Sequence, residues 1–172
     1  VVAVGQVTNG SYIFSIPDKV TVTPNESGIA TFSDLNIYEG NYLTKQFTVN
    51  DAQVDVKYIL PNANIDTTTI IVNVESSGVT ETYSAYENIF NVNSESRLFL
   101  IQEIEDEKYQ ILFGDGTLGK KAGSTKSVPT GHGSTIKASY IVTNGEGGDG
   151  AANFVFSGSL NLSNFEFVTN SF

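Results

Sequence analysis

Residues 109–121 read YQILFGDGTLGKK, and whether these glycines open a helix or a turn decides between an α/β nucleotide-binding fold and a mainly β one. Gly114-x-Gly116-x-x-Gly119 after an apolar strand has the spacing of a dinucleotide fingerprint. That chemistry needs a helix whose N-terminus receives the pyrophosphate. Here residues 122–133 hold three glycines and a proline, which no helix of that length tolerates. No acidic residue follows about twenty positions later to hold a ribose. Read instead as GxxxxGK, residues 114–120 place Lys121 where a magnesium-binding hydroxyl belongs. The spacing therefore predicts a tight turn, with Gly114 and Gly116 at positive φ and Asp115 bonded to its own backbone.

Working outward, the dominant period is two. Val20 and Val22 alternate with Thr21 and Thr23, and Leu35 and Ile37 with Asp34 and Asn36. Val54, Val56 and Tyr58 alternate with Asp55 and Lys57, and Ile136, Ala138, Tyr140 and Val142 with Lys137, Ser139 and Thr143. Each reads as a half-buried strand. Residues 70–74 and 98–101 are continuous apolar runs that fit strands covered on both faces. Helical spacing is confined to Tyr86, Ile89 and Phe90, enough for one or two turns. Punctuation at 9–10, 25–28, 39–40, 61–66, 114–116 and 144–150 divides the rest. The expected fold is mainly β, an antiparallel β-sandwich or open barrel of about ten strands with very little helix. The expected organisation is one mainly β body over residues 1–172, with 1–92 and 93–172 as its halves if it has two lobes. Val1 opens inside an apolar-rich run and the chain holds no Met, so we expect a piece of a longer protein.

Composition narrows the chemistry. With 172 residues the chain can bury a core of its own. Nine basic against 19 acidic residues give a net charge of −10, a field that repels nucleic-acid phosphates. The absence of Cys removes disulfides and thiolate metal sites, and a single His removes any two-imidazole site. No run approaches the ~18 apolar residues of a membrane span. Glu146 and Asp149 lie in a fragment of a calcium-binding repeat that requires stacked copies, so a plain glycine loop is expected there. His132 reads as exposed and idle, residues 103–107 as a solvated acidic hairpin turn, and 120–134 as a long polar loop of the length at which loops are functional or disordered. Asn9, Asn25 and Asn161 begin glycosylation triplets that chance explains in so Asn-rich a chain.

The runs VNSESRLFLIQEIEDEKYQILFGDGTLGKK (92–121) and IKASYIVTNGEGGDGAANFVFSG (136–158) resemble the baseplate J-like family, in its form as a wedge subunit of large contractile-tailed bacteriophages. NIYEGNYLTKQFTVN (36–50) and LPNANIDTTTIIVNV (60–74) extend the likeness, which covers residues 32–158. The polar stretch 121–134 is longer than the family pattern leads one to expect. The resemblance implies a structural virion protein of the tail baseplate, assembled in the host cytoplasm. Its partners would be a second copy, as a homodimer, and other wedge subunits around the tail tube. It implies no catalysis, cofactor, metal, small-molecule substrate, nucleic acid or membrane span. It also implies that Phe113, Gly114, Asp115, Gly116 and Gly119 form a turn fixing strand register, with Tyr140, Thr143, Gly145 and Asn153 completing a second hairpin.

Two other function classes compete. A β-sandwich adhesin or carbohydrate-binding module would use Asn, Thr, Tyr and acidic loop residues, although Trp, the strongest stacking platform, is absent. A nucleotide-binding enzyme would need the glycine loop as an anion cradle.

Overall fold

The computed structural model describes residues 2–7, 10–17, 20–52, 56–86 and 92–156. The chain divides into two units, one built from both ends (1–42 and 141–172) and one from the continuous stretch 43–140. Positions 92 and 93 both fall inside the second unit. Among the described residues are eleven strands and two short 3₁₀ turns, at Glu105–Glu107 and Gly145–Gly148. The mainly β expectation therefore holds. No helix among these residues is long and apolar enough to cross a membrane.

The first unit is a four-stranded sheet in the order β11 (Ala152–Phe156), β1 (Val2–Val7), β2 (Gly10–Ser15), β3 (Tyr38–Glu39). All three pairings are antiparallel. Phe14 on β2 meets Phe154 on β11 edge to face at 4.9 Å, the geometry that the ring quadrupoles prefer. Residues 20–37, where alternation predicted two strands, form no strand. Here Asn25 Oδ1 accepts the N–H groups of Ser27 and Ile29, and the Gly28 N–H bonds Asn25 O. That local Asx turn satisfies the backbone without a ladder, and Val20, Ile29 and Phe32 stay exposed for want of a sheet face to pack on.

The second unit carries most of a seven-stranded sheet, nearly closed into a barrel. Its order is β4 (Asn41–Thr48), β10 (Thr135–Val142), β6 (Ile65–Ser76), β7 (Val79–Ala85), β8 (Leu98–Ile104), β9 (Lys108–Phe113), β5 (Tyr58–Leu60). The sheet is mixed, because β7 and β8 run parallel; to that extent the antiparallel expectation is corrected. Residues 86–97 link these two strands, a length that can carry a crossover where a tight hairpin cannot. The β6–β7 hairpin turns on Ser77 and Gly78, both at positive φ, as a two-residue turn matched to strand twist requires. The acidic turn 105–107 joins β8 to β9 as expected.

The alternating residues Ile136, Ala138 and Tyr140 of β10 are buried, as their period predicts, with Leu60, Val72, Val74, Tyr83, Phe99 and Ile111. In β6, the run at 70–74 is buried or half-buried at every position. The run at 98–101 is covered on one face only: Phe99 is 2% exposed and Leu100 47%. At β8 the sheet turns one face inward and leaves the other to solvent, whereas β6 over 70–74 is covered on both, so an apolar run does not by itself mean two covered faces. The strand expected at 54–58 begins at Tyr58, its residues 54 and 55 lying outside the described set, as do Ile89 and Phe90 of the helical spacing near Tyr86.

Truncating Ile111, fully buried, to Ala should cost about 2–5 kcal/mol, whereas Leu100→Ala should change stability by less than about 0.5 kcal/mol. Urea denaturation midpoints at constant slope would measure both.

Candidate functional site: the glycine corner and its anchors

β9 delivers Phe113 opposite Phe99 on β8, and the chain then turns sharply. Asp115 Oδ1 accepts the N–H groups of Thr117 at 2.7 Å and Leu118 at 2.8 Å. The Gly116 N–H bonds Gly119 O at 2.9 Å, the Gly119 N–H bonds Asn93 O at 3.1 Å, and the Lys120 N–H bonds Ser96 O at 2.8 Å. Every backbone N–H from 116 to 120 is thus engaged within the protein, and a carboxylate from the same turn stands where an anion would sit. The corner has no free row of amides with which to cradle a phosphate. Hydrogen bonds from the Leu118 and Thr117 N–H groups hold the Asp115 carboxyl below its ordinary range.

Gly116 has φ +90 and Gly119 φ +82. Gly114, expected at positive φ, is not among the positive-φ residues; its requirement is steric. A Cβ there would stand 2.2 Å from the carbonyl carbon and oxygen of Gly119. The two ends of the loop therefore meet backbone to backbone, which only a residue without a side chain permits.

The corner is anchored from behind by charge. Lys120 Nζ lies 2.6 Å from Glu81 Oε2, and Arg97 Nη2 lies 2.8 Å from Glu81 Oε1. Lys120 is only 8% exposed, so it is the deep member of the trio. Desolvation raises the Glu81 carboxyl, but hydrogen bonds from Lys120 and Arg97 and their charges outweigh it, and the net shift is downward. Beside this trio Tyr83 donates its hydroxyl to Lys121 O at 3.1 Å, and burial pushes its pKa up to about 12. The polar stretch 120–134 is consequently no loose loop: Ala122 and Ser134 are also buried, and Ser134 Oγ bonds Gly123 O. Farther along, His132 is not idle, since its Nδ1 lies 2.7 Å from Asp51 Oδ1 while Thr130 Oγ1 donates to Asp51 Oδ2.

The second group of expected residues does not complete a hairpin. β10 and β11 lie in different sheets, and the four residues have separate tasks. Tyr140, 2% exposed, donates its hydroxyl to Asn62 Oδ1 at 2.7 Å. Thr143 Oγ1 donates to Glu39 Oε2 at 2.7 Å and accepts the Gly145 N–H at 3.0 Å. Asn144 adds its backbone N–H and its Nδ2 to the same carboxylate. These hydrogen bonds outweigh the upward pull of desolvation and lower the Glu39 pKa. Asn153 has φ 54, and the pairing of β11 with β1 shifts between Val4 and Gln6. Two β11 residues, 153 and 154, then oppose Gly5, so Asn153 is the left-handed residue of a β-bulge.

Sequence reasoning passed over Glu39, Glu81 and Lys120. Each is a single charged residue whose partner is remote in sequence, and no local spacing marks it. Among the described residues no group of three His, Cys, Asp or Glu side chains could hold a metal ion.

Gly114→Ala should destabilise by about 3 kcal/mol and Gly116→Ala by about 1–2 kcal/mol, because the first forces backbone apart while the second meets only the Lys121 side chain at an unfavourable φ. Paired urea titrations would rank them. Glu81→Gln should cost about 1–3 kcal/mol at pH 7. Because the folded Glu81 pKa lies below its ordinary 4.5, that stability is present above pH 4.5 and is lost as the pH falls through the folded value. The gap between the two proteins in denaturant midpoint should narrow in that window.

No protein-family model matches the chain, and no curated protein matches it.

Proposed function

We propose that this chain is a structural assembly protein, a component of the tail baseplate wedge of a contractile-tailed phage that joins a second copy and other wedge subunits around the tail tube. The observation that carries the reading is the glycine corner. The residues through which the sequence resembles the baseplate J-like family spend their polar groups on the frame itself, and the corner has no unengaged amide from 116 to 120 to offer a ligand. Phe113 to Lys120 close a loop onto residues 93–96, and Thr143 bonds Glu39 while accepting the Gly145 N–H. A frame of this kind suits a part that must hold its shape under load. The acidic surface of a chain carrying a net −10 keeps free subunits apart until they meet their neighbours.

The test is reconstitution. Mixed with wedge proteins of a contractile tail, the purified chain should elute with them in a complex whose mass, by light scattering, contains two copies of it. Only monomers, at concentrations where the other wedge proteins assemble with one another, would count against the reading, and selective binding on a glycan array would favour an adhesin.

A further inference from the structure

Four strands stand at the edges of the two described sheets: β11, β3, β4 and β5. Three are blunted in the ways proteins use to prevent edge-to-edge pairing. β3 has two residues, β5 has three, and β11 carries the bulge at Asn153. β4 differs. It runs for eight residues, Asn41–Thr48, pairs among the described strands with β10 alone, and has exposed side chains at all positions but Phe47.

Backbone direction follows from its contacts with β10. The Val49 N–H bonds Ser134 O at 2.8 Å and the Gly133 N–H bonds Val49 O at 2.9 Å, while Thr44 Oγ1 lies 2.8 Å from Ser139 Oγ. Residue numbers rise on one strand as they fall on the other, so the strands are antiparallel. Odd-numbered residues of β4 turn their N–H and C=O toward β10, and the alternation leaves those of Tyr42, Thr44 and Gln46 directed at the open edge. The strand contains Lys45 and no acidic residue, within a chain of net charge −10.

We propose that β4 is where a second copy of this chain adds, antiparallel and centred on Thr44; the proposal rests on the assembly reading above and names its contact. An edge without carboxylates is where two copies of an acidic protein meet with least repulsion. Lys45 selects the register. Centring on Lys45 would set two ammonium groups face to face, whereas centring on Thr44 pairs Thr44 with its own copy, Tyr42 with Gln46 and Leu43 with Lys45. Leu43, 38% exposed on the side of β4 opposite Thr44, is then covered by the stem of the partner's Lys45.

The lack of cysteine makes the test clean. Under mild oxidation, Thr44→Cys should form a covalent dimer at least tenfold faster than Tyr42→Cys, whose two copies would sit about 13 Å apart. Thr44→Pro removes an N–H that points away from the sheet, so circular dichroism should be unchanged while the dimer dissociation constant by sedimentation rises at least tenfold. A wild-type chain that stays monomeric to millimolar concentration, or equal cross-linking at Tyr42, Thr44 and Gln46, overturns the proposal. Complex formation with other wedge proteins, without Thr44 cross-linking, overturns it while leaving the assembly reading intact. A Thr44-specific dimer that binds no wedge protein supports it and counts against the baseplate assignment.

Discussion

A sheet of seven strands that almost closes must hold together two edges that share no hydrogen-bond ladder, and here aromatic rings meet across the seam. Phe47 on β4 meets Tyr58 on β5 at 5.5 Å, Tyr58 meets Phe113 on β9 at 5.7 Å, and Phe113 meets Tyr83 on β7 at 5.4 Å. All three contacts are edge to face, worth about 0.5–1.5 kcal/mol each beyond the area they bury. The line starts at the strand that ends the sheet on one side, passes through the strand that ends it on the other, and finishes on a nearly buried tyrosine. Where the line runs, β4 is tied to its own barrel; beyond it, toward Asn41, the strand lies open.

Phe113 belongs both to this line and to the glycine corner, which is why the corner's geometry matters beyond its own residues. A turn that placed Phe113 differently would lose the ring contacts to Tyr58 and Tyr83 together. The corner holds it by three independent means: the close backbone approach at Gly114, the Asp115 side chain bonding the amides of Thr117 and Leu118, and the bonds from Gly119 and Lys120 to residues 93–96. Lys120 and Glu81 then lock the exit of the turn. A lysine so deeply covered requires a counter-charge, and Glu81 accepts from Arg97 as well. The polar composition of 120–134 conceals this, since Lys120 and Ser134 are turned inward onto partners while Lys121, Lys126 and His132 stay exposed.

The same economy operates in the first unit, where Glu39 gathers Thr143 and Asn144. In both units a single carboxylate organises a junction between segments distant in sequence. Groups committed in this way position backbone, and the functional reading accordingly rests on shape and edges. The consequence for assembly is that the open part of β4 is the described edge with backbone donors and acceptors in number to spare.

Period-two patterning was enough to read the mainly β class and the burial of Ile136, Ala138 and Tyr140, and the cluster of acids at 103–107 between two apolar strands marked the turn found at 105–107. Strand residues alternate faces whatever their neighbours are. The failed helix after Gly119 was equally legible, because glycine and proline act on the backbone locally. Alternation misled at 20–37, where Asn25 bonds its own backbone and no sheet face is available. Only the tertiary structure decided that β7 and β8 run parallel, that Leu100 faces water while Phe99 does not, that Gly114 is required by contact and not by φ, and that Glu39, Glu81 and Lys120 hold the junctions. Each of these depends on which distant segment lies alongside, and a side chain's partner across thirty or a hundred residues leaves no mark in local spacing.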